Sequence, residues 1–194
     1  ELYKKLSIDC SYEKEIPVPL NVHAAIKMNN QAQFHPKRFV DALAEESEKK
    51  GARIFEDTRV INFEPGQECK IELENGKTIA AKNVIIASHY PCYDGLGFYF
   101  ARMRADRSYV IGIEMDNFPD AHLISIEKPT ISLRYIPEDR ILMVSGQSHK
   151  TGHKDSNHYE SLKELAYEIF NINNVKYQWS AQDYISHDYV PYAG

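Results

Sequence analysis

The chain has few cysteines and no long hydrophobic run, and each shortage excludes a class of protein. Its 194 residues include only three cysteines, Cys10, Cys69 and Cys92, with no C-x-x-C pair. An odd number of scattered cysteines is typical of free thiols, so the sequence predicts a reducing, cytoplasmic location. No run of roughly twenty apolar residues and no basic-then-apolar leader occurs, so neither a membrane span nor a signal peptide is predicted.

The chain also lacks an excess of positive charge. Its formal net charge is −5 and its pI is about 5.9, which predicts no nucleic-acid partner and no anionic membrane surface. Paired Cys-x-His and Cys-x-x-His motifs are absent, so the chain itself holds no predicted iron–sulfur cluster. Because 43% of the residues are hydrophobic, we expect a globular domain, or one domain with part of another.

One short apolar run ends in a polar turn. Residues 84–87 read VIIA and are followed by Ser-His-Tyr-Pro. The run is too short for a helix and is rich in β-branched residues, so it predicts a buried strand over residues 83–87. Ligands gather where buried strands end, which makes this turn either a ligand-facing corner or an ordinary strand exit.

The surrounding pattern predicts an α+β fold. Pro36 begins a predicted helix whose apolar face includes Phe39 and Leu43, and Gly51 ends it. Asn75-Gly76 predicts a hairpin between KIELE and KTIAA. Further strands are predicted over 53–56, 59–64, 108–114, 122–126, 130–136, 140–146 and 175–185, and a second helix begins with a capping box at Asn157 and Glu160.

These stretches resemble a known family. The exit VIIASHYP looks like the strand exit of flavoproteins of the glycine/D-amino-acid oxidase-like family, especially bacterial members that carry a Rieske iron–sulfur domain. Four further stretches match the same pattern, at residues 34–64, 97–113, 130–154 and 179–194. The family's G-x-G-x-x-G turn, which holds the pyrophosphate of FAD at a helix N-terminus, is missing from the sequence.

The resemblance implies a domain organisation and an activity. Residues 1–33 are expected to form an extended part of the substrate domain, 34–91 a partial FAD-binding domain, and 92–194 an antiparallel or mixed β-sheet domain that binds substrate. The chain is then an internal fragment of an FAD-dependent oxidoreductase that oxidises a small amine or amino acid. The isolated fragment is expected to be inactive, and its partners are the missing FAD-domain segments and a Rieske domain of the same polypeptide.

The resemblance also implies site residues. The backbone near Val60 is expected beside the adenine of FAD, and Ala87, Ser88 and His89 are expected near the cofactor. An arginine on the strand that matches Arg134 often holds the substrate carboxylate in this family. No catalytic acid or base is assigned, because hydride transfer to FAD from a neutral amine needs none.

The alternation of side chains along a strand predicts which face of the sheet Arg134 occupies, and this prediction does not depend on the resemblance. In ISLRYI, Arg134 points away from Leu133 and Tyr135, and a guanidinium can hold a carboxylate through two parallel hydrogen bonds. The alternative is an exposed strand residue. Tyr99 and Arg102 are candidates for residues that line a substrate entrance. The alternatives are that their long side chains cover apolar surface or that they contact a neighbouring domain.

Two other functions remain open from the sequence. The aromatic and arginine-rich surface is also compatible with a non-catalytic ligand-binding or protein-interaction domain. His149, His153 and His158 allow a small metal hydrolase, although no motif completes a metal site and none is assigned. His89 and Cys92 lack the third residue and the oxyanion loop that a nucleophilic triad requires.

Overall fold

The computed structural model describes residues 2–93, 97–152 and 157–192. The chain forms two compact units. The first, called the hairpin unit, contains Glu1–Asp9 and Met28–Gly97, and the second, called the sheet unit, contains Cys10–Lys27 and Phe98–Gly194. Each unit is described by itself.

Both units contain helices and runs of consecutive strands, as expected for an α+β fold. In chain order they are α1 (Leu2–Lys5), β1 (Cys10–Glu13), β2 (Ala25–Met28), α2 (Pro36–Lys49), β3 (Val60–Glu64), β4 (Cys69–Leu73), β5 (Thr78–Ala81), α3 (Tyr99–Arg102), β6 (Met103–Glu114), β7 (Leu123–Ile124), β8 (Ser132–Ile136), β9 (Ile141–Lys150), α4 (His158–Phe170) and β10 (Val175–Ser186). The α+β prediction is confirmed. No helix within the described ranges combines the length and the apolar character needed to cross a membrane.

The hairpin unit contains a three-stranded antiparallel sheet in the order β3-β4-β5. Gly76 turns the chain between β4 and β5 with φ of +78°, a conformation that glycine adopts without steric cost. Its amide donates to the Leu73 carbonyl at 2.9 Å, and Cys69 pairs with Ala81 at the far end of the ladder. The predicted Asn75-Gly76 hairpin is confirmed.

Helix α2 begins and ends where the sequence predicts. Pro36 occupies its first turn, the His35 ring accepts a hydrogen bond from the Arg38 amide, and Gly51 follows the helix with φ of +95°. Its apolar face, however, is largely exposed: Phe39, Val40 and Leu43 are each at least half exposed, and Phe39 has only an edge contact with the Phe34 ring, at 5.4 Å between centroids. An amphipathic helix is normally stabilised by packing that face, so α2 presents an apolar surface that requires a neighbour.

The predicted buried strand over residues 83–87 is wrong. The structure has no strand there, and Ile85 is 91% exposed. A strand exists only when a neighbouring backbone satisfies its amide and carbonyl groups. Within the described residues the hairpin sheet contains only β3, β4 and β5, so this β-branched run has no ladder to join. The short strand predicted over 53–56 is likewise absent.

The sheet unit is built on a five-stranded antiparallel sheet in the order β10-β6-β9-β8-β7. One face is covered by α4, whose Leu162 and Ala166 are fully buried. The side chains that meet them come from three adjacent strands and are also essentially inaccessible to water: Ile111, Ile113, Leu133, Leu142 and Val144. Burial of these branched side chains forms the hydrophobic core.

The N-terminus of α4 differs from the predicted capping box. Asn157 has φ of +71°, a left-handed conformation, and its side chain makes no capping hydrogen bond. A capping box needs an extended residue whose side chain turns back to the first amides. The residue spacing fits a box, but the left-handed backbone of Asn157 does not.

Candidate functional site

Alternation along the strands separates the five-stranded sheet into two faces. Residues such as Ile111, Val144 and Leu133 face α4, so their neighbours in sequence face the other way. The second face, called the Arg134 face, contains two rows that cross four strands. They are Tyr177, Gly112, Met143 and Arg134, and then Trp179, Val110, Ser145 and Ser132.

Arg134 lies in the middle of β8 and is half-buried, whereas Leu133 beside it is 1% exposed and belongs to the core. The direction predicted for Arg134 therefore agrees with the structure. Beside it, the Ser132 and Ser145 hydroxyl oxygens lie 2.5 Å apart across β8 and β9. Ser108 and Ser148 form a similar hydroxyl pair at 2.6 Å across β6 and β9. A guanidinium bordered by hydroxyl groups is a polar surface suited to a carboxylate.

Tyr99 and Arg102 lie on α3, at the start of β6, and both contact Tyr192. The ring centroids of Tyr99 and Tyr192 are 6.2 Å apart, and the Arg102 guanidinium carbon lies 4.2 Å from the Tyr192 centroid. This is a cation–π contact. Since β6 runs for nine residues between Met103 and Gly112, the row of Arg134 lies roughly 30 Å along the strand from Arg102. The structure thus brings Tyr99 and Arg102 together at one end of the sheet and places Arg134 near the other.

The same end of the sheet holds further charged contacts. Arg104 pairs with Asp106 at 3.3 Å and lies over the Tyr189 ring. Hydrogen bonding to Tyr189, and then to Asp106, raises the pKa of Arg104. The Val190 amide donates to the Asp188 carboxylate at 3.1 Å and lowers the pKa of that group. The segment after β10 therefore contacts β6 through Tyr189, which forms a cation–π contact and a hydrogen bond with Arg104.

The residues expected near the cofactor lie in the hairpin unit. Val60 begins β3, pairs with Leu73 and is 41% exposed. Ala87, Ser88 and His89 are exposed and lie outside any strand. The Ser88 hydroxyl donates to the Tyr90 carbonyl at 2.6 Å, and His89 has φ of +65°. A left-handed conformation is uncommon for a residue other than glycine and is enriched at functional sites.

An aromatic cluster on the α4 face has no counterpart among the sequence-based predictions. Tyr109, His149 and His158 stack with ring centroids 4.4 to 5.7 Å apart. Because the Lys150 carbonyl can only accept, His149 Nδ1–H donates to it at 2.9 Å, and His149 Nε2 lies within hydrogen-bond distance of the Tyr109 hydroxyl, at 3.1 Å. An irregular register between Arg107 and Tyr109 turns His149 to this face. Such bulges give no reliable sequence signal.

This cluster does not have the geometry of a metal site. The His149 and His158 rings are within 10° of parallel, and their nitrogen lone pairs lie in the ring planes, so they do not converge on one ion. His153 lies outside the described residues. Across the ranges that are described, no group of three histidine, cysteine, aspartate or glutamate side chains could hold a metal.

Comparison with known proteins places the chain in a family. The model of the family DAO, described as FAD dependent oxidoreductase, matches residues 5–194. The chain belongs to this family. A relative from Bacillus subtilis (strain 168), named as a Rieske 2Fe-2S iron–sulfur protein, YhfW, is 39% identical over 199 residues, which cover 100% of this chain and 39% of the relative.

Solved structures agree with that membership at the level of the fold. The DAO chain is similar to glycine oxidase from Geobacillus kaustophilus, with a TM-score of 0.77, 16% identity, and coverage of 99% of this chain and 55% of that one. Glycine oxidase from Bacillus cereus ATCC 14579 gives a TM-score of 0.75, 15% identity, and coverage of 100% and 58%. The chain therefore spans about two fifths to three fifths of the length of these relatives.

The described residues do not include the glycine turn through which FAD-binding folds hold the cofactor's pyrophosphate. An FAD pyrophosphate needs a glycine turn between a strand and a helix, and among the described residues no glycine occupies such a turn. Gly76 lies in a hairpin and Gly112 lies in β6. The described residues therefore lack the element that binds the phosphates of FAD.

Proposed function

We propose that the parent protein of this DAO chain oxidises an amino acid or a related amine, with FAD as the electron acceptor. The observation that supports this most directly is the placement of Arg134, half-buried on the Arg134 face and beside the Ser132–Ser145 hydroxyl pair. A bidentate guanidinium contact orients a carboxylate, and with it the neighbouring carbon that carries the amine.

In the proposed reaction, bound FAD would supply the two-electron acceptor for the hydride. The C–H bond breaks with its electron pair as hydride, the nitrogen lone pair forms a C=N bond, and a nitrogen-bound proton is released to solvent. Water then adds to the imine, which gives an oxo acid and ammonia. Arg134 holds the carboxylate during these steps, and no described side chain is required to accept the proton when the amine is neutral.

The relative named as a Rieske iron–sulfur protein supports a particular route for the electrons. We propose that the parent carries an iron–sulfur domain on the same polypeptide and that electrons pass to it rather than to oxygen.

The apolar face of α2 supports a second partner within the parent. Its uncovered Phe39, Val40 and Leu43 would be buried against the segments that complete the FAD domain.

A direct test is turnover. The parent, saturated with FAD and supplied with an artificial electron acceptor, should convert at least one amino acid to equal amounts of oxo acid and ammonia. A panel of amino acids is assayed for both products, and simple amines are assayed for ammonia and the corresponding aldehyde or ketone. Ammonia from an amino acid without its oxo acid, or no product from any compound in a protein that contains bound FAD, would contradict the proposed reaction.

The chain by itself is expected to bind FAD weakly. Without a phosphate-binding turn it lacks the element that holds the charged centre of the cofactor, so we expect an affinity at least 100-fold below that of the parent. Isothermal titration of FAD into the chain and into the parent measures the difference. Equal, stoichiometric binding by both proteins would show that the chain contains a cofactor site that the described residues do not reveal.

The alternative, a non-catalytic interaction module, is favoured by a different observation. Many large apolar side chains are exposed, including Ile85 at 91% and Ile126 at 97%, and exposed apolar patches often contact other proteins. A parent that contains no FAD and takes up none would support this alternative.

A further inference from the structure

Two phenylalanine rings are exposed on and beside α3, at the end of the sheet unit that contains Arg102. The centroids of the Phe98 and Phe100 rings are 6.1 Å apart, and the two side chains remain 54% and 67% exposed. Aromatic rings of this size normally stabilise a protein by being buried. Two neighbouring rings left accessible to water therefore form an apolar surface that a partner can cover. This surface is called the Phe98–Phe100 pair.

The backbone holds one ring of the pair in an uncommon conformation. Phe98 has φ of +51° and ψ of +39°, in the left-handed region, which is rare for a bulky residue. Its carbonyl accepts a hydrogen bond from the Ala101 amide at 3.0 Å, so this conformation begins the single turn of α3. Residues in such conformations cluster at binding and switch regions of proteins, which favours a binding role for the pair.

The chain leaves the sheet unit along the same helix. Residues 187–192, called the exit segment, follow β10. The His187 amide donates to the Arg102 carbonyl at 3.3 Å, and His187 Nε2–H donates to the Ala101 carbonyl at 3.2 Å. At its other end, the Tyr192 ring packs against the Arg102 guanidinium. These contacts hold the exit segment against α3, so polypeptide that continues from it starts beside the helix that carries Phe100.

This attachment favours one kind of partner over the others. The chain covers 39% of the relative from Bacillus subtilis and 55% of the glycine oxidase from Geobacillus kaustophilus, so the proposed parent is longer than this chain. A segment joined to the exit segment is held at a high effective concentration near the Phe98–Phe100 pair. A second copy or a separate protein must instead be recruited from solution, at the full entropic cost of association.

We infer that the Phe98–Phe100 pair docks the segment of the parent that follows residue 194, through apolar side chains of that segment. In this arrangement Tyr99 and Arg102 hold the exit segment through Tyr192 instead of lining a substrate entrance. The inference rests on the proposed function only for the existence of a longer parent. No part of it requires a substrate or FAD.

Photo-cross-linking of the parent identifies what covers the pair. The photoreactive residue p-benzoylphenylalanine replaces Phe100 in one sample and Tyr12 in the matched control, because Tyr12 lies on β1 of the same unit and is 68% exposed. After irradiation, mass spectrometry should find cross-links from position 100 to residues beyond 194, in a yield about tenfold or more above that from position 12. Cross-links to a second copy, cross-links to residues before 194, or equal yields at the two positions would overturn the inference.

Limited proteolysis of the parent provides a second, independent measurement. Phe100→Asp places a charge on the docking surface and should raise the rate of cleavage after residue 194 by roughly tenfold or more. Phe100→Leu keeps an apolar side chain and should stay within about threefold of the unchanged parent, as should Tyr12→Asp. Equal cleavage rates for Phe100→Asp and Tyr12→Asp would overturn the docking. Because neither measurement uses turnover, a parent that shows the docking but oxidises no amino acid would contradict the proposed function alone.

Discussion

Replacing Arg134 by methionine in the parent protein is expected to lower kcat/KM for an amino-acid substrate by roughly two to four orders of magnitude. Two charge-assisted hydrogen bonds to a carboxylate contribute about 1.5–3 kcal/mol each, and each 1.4 kcal/mol corresponds to a factor of ten. Methionine preserves much of the apolar stem on β8 but cannot donate. Steady-state kinetics with the FAD-loaded parent measures the loss.

Two further variants distinguish a substrate contact from a structural role. Arg134→Lys keeps the charge without the planar fork and should restore only part of the activity. Arg140→Met removes an exposed arginine that pairs with Asp116 beyond the end of β8, and it should leave kcat/KM within about threefold. An Arg134→Met parent that retains its FAD and oxidises the substrate at the original rate would contradict the proposed anchoring.

Replacing Leu162 by alanine is expected to destabilise the sheet unit by about 2–5 kcal/mol. Leu162 is fully buried on α4 in the core that contains Ile111 and Val144. Its Cδ2 also lies 3.6 Å from the position of a Cβ built on Gly146, so truncation opens a cavity where the helix meets β9. Urea denaturation of the parent, monitored by a spectroscopic signal that reports on the sheet unit, measures the change in the free energy of unfolding.

The matched control for this change lies on the same helix. Glu164 is exposed and makes no contact in the core, so Glu164→Ala should alter the free energy of unfolding by no more than about 0.5 kcal/mol. If Leu162→Ala were as mild as Glu164→Ala, α4 would not be packed against the sheet as described.

Local signals in the sequence were sufficient for the elements whose geometry is set locally. Asn75-Gly76 specifies a hairpin because glycine accepts a positive φ, and Pro36 and Gly51 mark the ends of α2 because each fits one helix terminus. The direction of Arg134 follows from alternation along β8, since one face of that strand is buried. In each case the deciding interaction lies within a few residues.

Features set by distant residues were not predictable in the same way. Residues 83–87 have the composition of a strand, but a strand requires a backbone partner, and the described residues supply none. The side on which His149 lies depends on an irregular pairing between β6 and β9. The contact of Arg102 with Tyr192 joins residues ninety positions apart. The sequence identified the candidate residues, but only the fold showed that Arg134 and Arg102 belong to opposite ends of the sheet.

The most direct test of the central claim is the visible absorption spectrum of the FAD-loaded parent, recorded without oxygen before and after addition of single amino acids. The account predicts that the oxidised flavin bands bleach with at least one amino acid and that Arg134→Met slows the bleaching by at least 100-fold. A parent that binds FAD but keeps an unchanged spectrum with every amino acid would contradict it.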